Sequence, residues 1–285
     1  MTGPTVGIVG LGQIGGSLAA AIKAHGVPYR VRAWDRRTAA LGMGRERGWV
    51  DEAVGSAAEA VAGADLVVLA APVTAVRRLL AEIAPAVSPG QVVTDVGSTK
   101  ASIVAEAARV LPAGVEFVGA HPVAGTERSG VEAADPRLFD ARPCVLTPLP
   151  PTPAEAVERV ESLWRALGAR VVRMSPEAHD RVFAWVSHLP HLLAYTLTWA
   201  VLEKLGDQEL NLAGPSLRDW TRVVGSPPAL WRDICMENRE ALGRVLGEFE
   251  EELAAVRKRL ETGDAEALEA LFHGAKEGRS RLWTV

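Results

Sequence analysis

Hydrophobic residues in the first 173 positions of the chain fall in short runs, at 5–9, 30–34, 66–69, 92–94, 116–118, 144–147 and 170–173. Between most of these lie alanine- and leucine-rich stretches at helical spacing, such as 14–24, 73–83 and 154–167. Short apolar strands alternating with helices predict an α/β fold with a mainly parallel sheet covered on both faces. The run PLPPTP (148–153) reads as a loop inside this domain, because a strand precedes it and a helix and strand follow, with Pro153 suited to a first helical position. After Met174 the strand pattern stops. Ser175-Pro176 is a helix start, with serine as cap and proline at the first helical position. From there the pattern is helical, with expected breaks at Gly206-Asp207, Gly214-Pro215, Ser226 to Pro228 and Gly274. An apolar stripe runs through Leu242, Val245, Leu246, Phe249, Leu253, Val256 and Leu260. The expected division is an α/β domain at 1–173 and a helical domain at 174–285.

Composition narrows the class. With 285 residues, 48% hydrophobic and 23% charged, the chain is globular and long enough for one large domain or two ordinary ones. A net charge of −4 argues against a nucleic-acid partner, which favours a basic excess. Two cysteines far apart, Cys144 and Cys235, offer neither a disulfide framework nor a metal knuckle, and as buried thiols they suit a reducing cytoplasm. No apolar run is long enough for a membrane span, and the glycine-studded start lacks the basic flank of a signal peptide.

The chemistry is concentrated at the ends of the predicted strands. Gly10-Leu11-Gly12-Gln13-Ile14-Gly15 follows the first strand and opens the first helix, the context that a dinucleotide-binding G-x-G-x-x-G turn requires. Gly10 permits the tight turn, Gly12 lets the backbone approach a pyrophosphate, and Gly15 lets helix and strand pack closely. The amides near Gln13 and Ile14 would face the phosphates at the positive helix end. Asp35 lies 20 residues beyond Gly15, where a carboxylate accepts from the adenosine ribose hydroxyls. That argues for NAD, while Arg36 and Arg37 are the residues that a 2′-phosphate would need. Ser98, in DVGSTK (95–100), is placed to cap the next helix and to face a nicotinamide. His121, in GAHPVAGTE (119–127), follows a strand at the cofactor edge and suits a general base titrating near neutrality. His188 and His191 stand three apart in SHLPH, without the cysteine or carboxylate partners of a metal site, so no metal is expected. Arg222, flanked by Thr221 and Val223, suits a bidentate hold on a carboxylate.

Taken in order, GLGQIGGS, DVGSTK, GAHPVAGTE, HDRVFAWVSHLPH and RDWTRV, with Trp231 and Asn238 beyond, resemble the prephenate/arogenate dehydrogenase family of tyrosine biosynthesis. The resemblance spans residues 5–240. It implies a Rossmann domain followed by a helical domain that makes a homodimer, and NAD-dependent oxidative decarboxylation of a cyclohexadienol, prephenate or arogenate. It also implies roles: His121 as base, Ser98 on the reacting hydroxyl or the nicotinamide, and Arg222 on a substrate carboxylate. Glu127 and Asp219 would be gating or orienting residues, and His188 and His191 would line the pocket. No regulatory ACT domain or fused mutase is expected. Two other readings stay open: another Rossmann-plus-helical dehydrogenase of the β-hydroxyacid kind, and a cofactor-binding sensor without turnover.

Overall fold

The strands of the computed structural model, which describes residues 3–282, form a single sheet. They are β1 (Thr5–Val9), β2 (Arg30–Trp34), β3 (Glu52–Ala53), β4 (Leu66–Leu69), β5 (Val92–Asp95), β6 (Glu116–Pro122), β7 (Pro143–Thr147) and β8 (Arg170–Arg173). Their order is β3-β2-β1-β4-β5-β6-β7-β8. All neighbours are parallel except β6 and β7. The chain reverses direction across the sheet between β1 and β4, and that switch point is where open α/β sheets bind ligands.

Alternation along the central strands explains why both faces are covered. Val6 and Ile8 of β1, with Leu66 and Val68 of β4, join a core beneath helices Gln13–Ala24 and Ala154–Ala166. Val9, Val67, Leu69 and Val93 face the other way, onto helices Val73–Ile83 and Ala101–Val110. Each such side chain contributes roughly 1.5–3 kcal/mol on burial, so β4, apolar at every position, can only be an interior strand.

The α/β expectation holds, and the differences have local causes. β3 is two residues long, too short to leave a hydrophobic pattern. β6 runs on to Pro122 because it changes partner: Glu116–Val118 pair with β5, and Gly119–Pro122 pair antiparallel with β7. His121 therefore lies within a strand, opposite Val145. Pro153 sits at the N-cap of its helix, one position earlier than expected.

The described residues fall into two compact units, divided between Arg239 and Glu240. In the first, Ser175 caps helix Pro176–Phe183 by accepting from the Ala178 amide at 3.1 Å. That helix runs into a π-turn, Ala184–His188, before helix Leu189–Lys204. Pro190 has no N–H to continue the α ladder across this junction, and π-turns of this kind often border functional sites. In the second unit, the break expected at Gly274 is absent: Gly274 lies inside helix Ala265–Arg279. The chain turns instead at Gly263, with φ at +67°, and Asp264 caps the new helix through the Ala267 amide at 3.0 Å. A glycine in mid-helix costs only about 1 kcal/mol, whereas a capped left-handed residue ends a helix outright.

Candidate active site

The glycine turn has the geometry that a dinucleotide demands. Gly10 adopts φ +103°, and a Cβ there would stand 2.3 Å from the Ala70 carbonyl oxygen. On Gly15 a Cβ would come within 2.0 Å of the Gly10 oxygen. Gly12, by contrast, would meet nothing within 4 Å. It is also the N-cap of helix Gln13–Ala24, and no side chain caps that end. Two of the glycines are needed for packing, and the third leaves open space before uncapped amides, which is what a pyrophosphate requires.

Around this turn the side chains are tied down. Asp35, at the end of β2, accepts from the Leu11 amide at 2.7 Å and the Arg37 amide at 2.8 Å. Burial by itself would raise its carboxyl, but these bonds and the Arg37 guanidinium hold it below the usual carboxylate range. A carboxylate has about four acceptor sites, and with three used by Leu11 and Arg37 Asp35 retains one, on Oδ2, for a ribose hydroxyl. Arg37 makes this contact, while Arg36 is exposed. The Gln13 amide bonds both the Thr126 backbone and its hydroxyl, at 3.1 and 2.8 Å. It thereby joins the glycine turn to the loop that follows His121, and Ile14 lies against the same loop at Gly125.

At the end of β5 the DVGSTK segment is locked from beneath. Lys100, fully buried, pairs with buried Asp95 and donates to the Ala120 carbonyl at 2.8 Å. Asp95 also accepts from the Gly97 and Ala120 amides. Ser98, half-buried, does not cap helix Ala101–Val110. That expectation fails because the Asp180 carboxylate, arriving from helix Pro176–Phe183, takes the amides of Lys100 and Ala101 at 2.8 and 2.9 Å. A charged acceptor at a helix start outcompetes a hydroxyl.

His121 is buried, and its Nδ1 lies 2.8 Å from Nε2 of His179. The other His179 nitrogen, Nδ1, lies 2.8 Å from Asp180 Oδ1. Phe183 packs on both rings, with centroids 4.6 and 4.3 Å away. Burial, followed by the nearby His179, Lys100 and His188, holds His121 well below the ordinary histidine value. The expectation of a base titrating near neutrality is thus corrected: the free protein keeps this ring neutral well into acid. His188 is fully buried and accepts at Nδ1 from the Asn238 amide at 3.0 Å. Burial pushes it down to about 4, and the Ser98 backbone lies close enough to oppose that shift.

Arg222 and Glu127 meet at 3.5 Å, both exposed. Arg222 is also close enough to depress His191 further, after burial. His191 stacks on Trp231, ring centroids 3.5 Å apart, and donates from Nδ1 to the Ser187 carbonyl. It lines a cavity of about 300 Å³ with Val186, Ser187, Pro190, Trp220 and Val223. Asp219 is exposed on helix Pro215–Thr221, with no bond to Arg222 or Glu127.

The fold thus brings together Gly10 to Gly15 with the 124–128 loop, Ser98 with His188, and Arg222 with Glu127 and His191. Arg36 and Asp219 stay apart. Sequence reasoning passed over His179, Asp180, Lys100 and Asp95 as functional residues. The adjacent His179-Asp180 pair and a lysine amid apolar residues were the available signals. Among the described residues, no cluster of His, Cys, Asp or Glu could hold a metal ion.

This architecture matches known proteins along nearly its whole length. The family model for the prephenate dehydrogenase nucleotide-binding domain matches residues 18–173, and that for the prephenate dehydrogenase dimerization domain matches 175–274. Cyclohexadienyl dehydrogenase of Zymomonas mobilis is 36% identical over 98% of this chain and 96% of its own. Prephenate dehydrogenase of Aquifex aeolicus, solved with hydroxyphenyl propionate and NAD+, superposes with a TM-score of 0.92 at 31% identity, covering 99% of each chain. Arogenate dehydrogenase of Synechocystis gives 0.84 at 31%, covering 98% of this chain and 99% of that one. With both family domains in order on the same fold, the chain belongs to the prephenate dehydrogenase family and is a dehydrogenase.

Proposed function

We propose that the protein oxidatively decarboxylates prephenate to 4-hydroxyphenylpyruvate, or arogenate to tyrosine, with NAD+ rather than NADP+. The observation that carries this reading is the His121 ring, neutral and buried at the end of β6, with its Nδ1 2.8 Å from His179 Nε2. NAD+, when bound on the glycine turn, supplies the hydride acceptor. His121 takes the proton of the ring hydroxyl as its carbon loses hydride. The bond to the ring carboxylate then breaks, CO2 leaves with the bonding electrons returned to the ring, and the aromatic phenolate that results takes its proton back from His121. The protein need only orient the ring, accept one proton and hold the carboxylates. Ser98 bonds the same hydroxyl or the nicotinamide. Arg222 holds a carboxylate, Glu127 and Asp219 orient or gate it, and His188 and His191 line the pocket.

Asp35 supports the preference for NAD+, since a carboxylate below its usual range stays ionised and repels a 2′-phosphate. We place the domain boundary near 174, where β8 ends at Arg173 and the two family models meet. We read the second domain as the seat of a homodimer, which the dimerization-domain match and the exposed Leu197, Trp199 and Leu202 support. The reading places the enzyme in the cytoplasm. It agrees with two free cysteines, Cys144 buried and Cys235 half-buried, and with described helices too short or too polar to cross a membrane.

The test is absorbance at 340 nm with prephenate and arogenate, each offered with NAD+ and NADP+. Turnover of either substrate with higher kcat/KM for NAD+ is expected, and Asp35→Ser should narrow that preference. No turnover with either substrate refutes the reading, and a preference for NADP+ refutes the role of Asp35.

A further inference from the structure

The Asp180 carboxylate cannot turn. Its Oδ2 accepts from the Ala101 amide, and its Oδ1 accepts from both the Lys100 amide and His179 Nδ1. An ionised carboxylate only accepts, and hydrogen bonding to His179 and the two amides keeps Asp180 ionised despite burial. The proton between Asp180 and His179 therefore belongs to His179 Nδ1. His179 is neutral, because burial lowers it more than Asp180 raises it. Its Nε2 is then a bare lone pair, and the only donor that can meet it at 2.8 Å is His121 Nδ1–H. One carboxylate thus sets two tautomers in succession and leaves His121 Nε2 without a proton. The groups facing this chain are Lys100 and His188 toward His121, and Lys100 and Asp95 toward His179.

We propose that His179 and Asp180 are positioning residues for the proposed dehydrogenase reaction, holding His121 in the tautomer whose Nε2 can accept the substrate's hydroxyl proton. The inference rests on the reading of His121 as the base. The logic is that of a carboxylate orienting a catalytic histidine, extended by one imidazole. Free histidine favours the proton on Nε2, which would turn a donor rather than an acceptor toward the hydroxyl. Holding the opposite tautomer requires an acceptor at Nδ1, and His179 is that acceptor. A merely structural role would be met by any flat apolar ring stacked on Phe183. It would not need His179 aligned between a carboxylate and a second histidine.

Two measurements test this, and the first needs no substrate. Long-range proton–nitrogen NMR of the histidine-labelled full-length protein, with His121 assigned by its loss in His121→Asn, should show His121 protonated at Nδ1. Protonation at Nε2 overturns the proposal. The second is kinetic. His179→Leu removes the acceptor and should lower kcat by about 10–100-fold, at or below the lower end of the ~10²–10⁴-fold range for general base catalysis because His121 itself is kept, with both KM values within about threefold. His179→Gln places an amide oxygen near the lost Nε2 and should recover most of that loss. Equal impairment in the two variants, or near wild-type kcat in His179→Leu, overturns the proposal. If the leucine variant does not fold, the wild-type NMR and the glutamine variant still decide. A wild-type protein with the Nδ1–H tautomer but no turnover of prephenate or arogenate refutes the assigned reaction while upholding the relay.

Discussion

His121 and Arg222 stand at opposite extremes of how a fold can hold a side chain. His121 is buried, with His179, Asp180 and Phe183 around it and the Lys100–Asp95 pair beneath. Arg222 is exposed, on a single 3-10 turn, and pairs with exposed Glu127 at 3.5 Å. The first arrangement removes freedom before any ligand arrives, as proton transfer requires, because an acceptor displaced or in the wrong tautomer takes no proton. The second leaves an arginine in solvent on a weak carboxylate partner, which a substrate carboxylate can replace at little cost. Both lie in the compact unit that ends at Arg239, as does the glycine turn. The contrast therefore reflects local packing.

If this contrast is right, the buried side should show in kcat and stability, and the exposed side in KM. The largest effect is expected for His121→Asn, which should lower kcat by ~10²–10⁴-fold with substrate KM within a few-fold. In the wild type, log kcat/KM should stay flat from pH 7 until well below 6.5, since the His121 value lies there. A limb near pH 6.5, or a variant with near wild-type kcat, would remove His121 as the base.

The next effect concerns stability. A histidine whose folded value is depressed stays neutral in the native state while the unfolded chain takes up a proton. Stability is therefore greatest above about 6.5 and is lost as pH falls toward the folded value. For His188, taken from 6.5 to about 4, the loss approaches ~3 kcal/mol by pH 4. His121 and His179 add losses of the same sign. Urea midpoints measured at pH 7, 6 and 5 should fall steadily, and less steeply in His188→Gln. An unchanged midpoint between pH 7 and 5 would show that the cluster is not held neutral.

On the exposed side, Arg222→Ala should raise substrate KM by roughly 10–150-fold, the worth of hydrogen bonds to a charged group. KM for NAD+ should hold within about threefold, and Arg222→Lys should restore part of the loss, having a point charge but no fork. If NAD+ binding suffers equally, Arg222 supports the fold instead. The smallest effect is expected for Glu127→Gln, which removes an exposed pair and should change unfolding free energy by no more than ~1 kcal/mol. A larger change in a denaturant titration would mean that this pair is structural and that the contrast with His121 is overstated.

Local pattern along the chain sets the sheet and its chemistry-bearing edge. Apolar runs such as Leu66–Leu69 are interior strands wherever they occur, and a G-x-G-x-x-G after a strand leaves one way to turn into a helix, so these elements were legible from local pattern. The same holds for Ser175-Pro176 and the glycine-proline breaks, whose backbone preferences are intrinsic. His121, Ser98 and Arg222 could be singled out for the same reason, being polar residues at predictable element ends. What could not be read was who meets whom. His121 and His179 are 58 residues apart and touch only because β6 changes partner and helix Pro176–Phe183 docks against the start of helix Ala101–Val110. The partner change placed His121 in a strand, and the docking replaced Ser98 by Asp180 as the cap and helped lower the affinity of His121 for protons. Burial and hydrogen bonding act through space, so the tautomer and titration of His121 were decided by the tertiary structure alone.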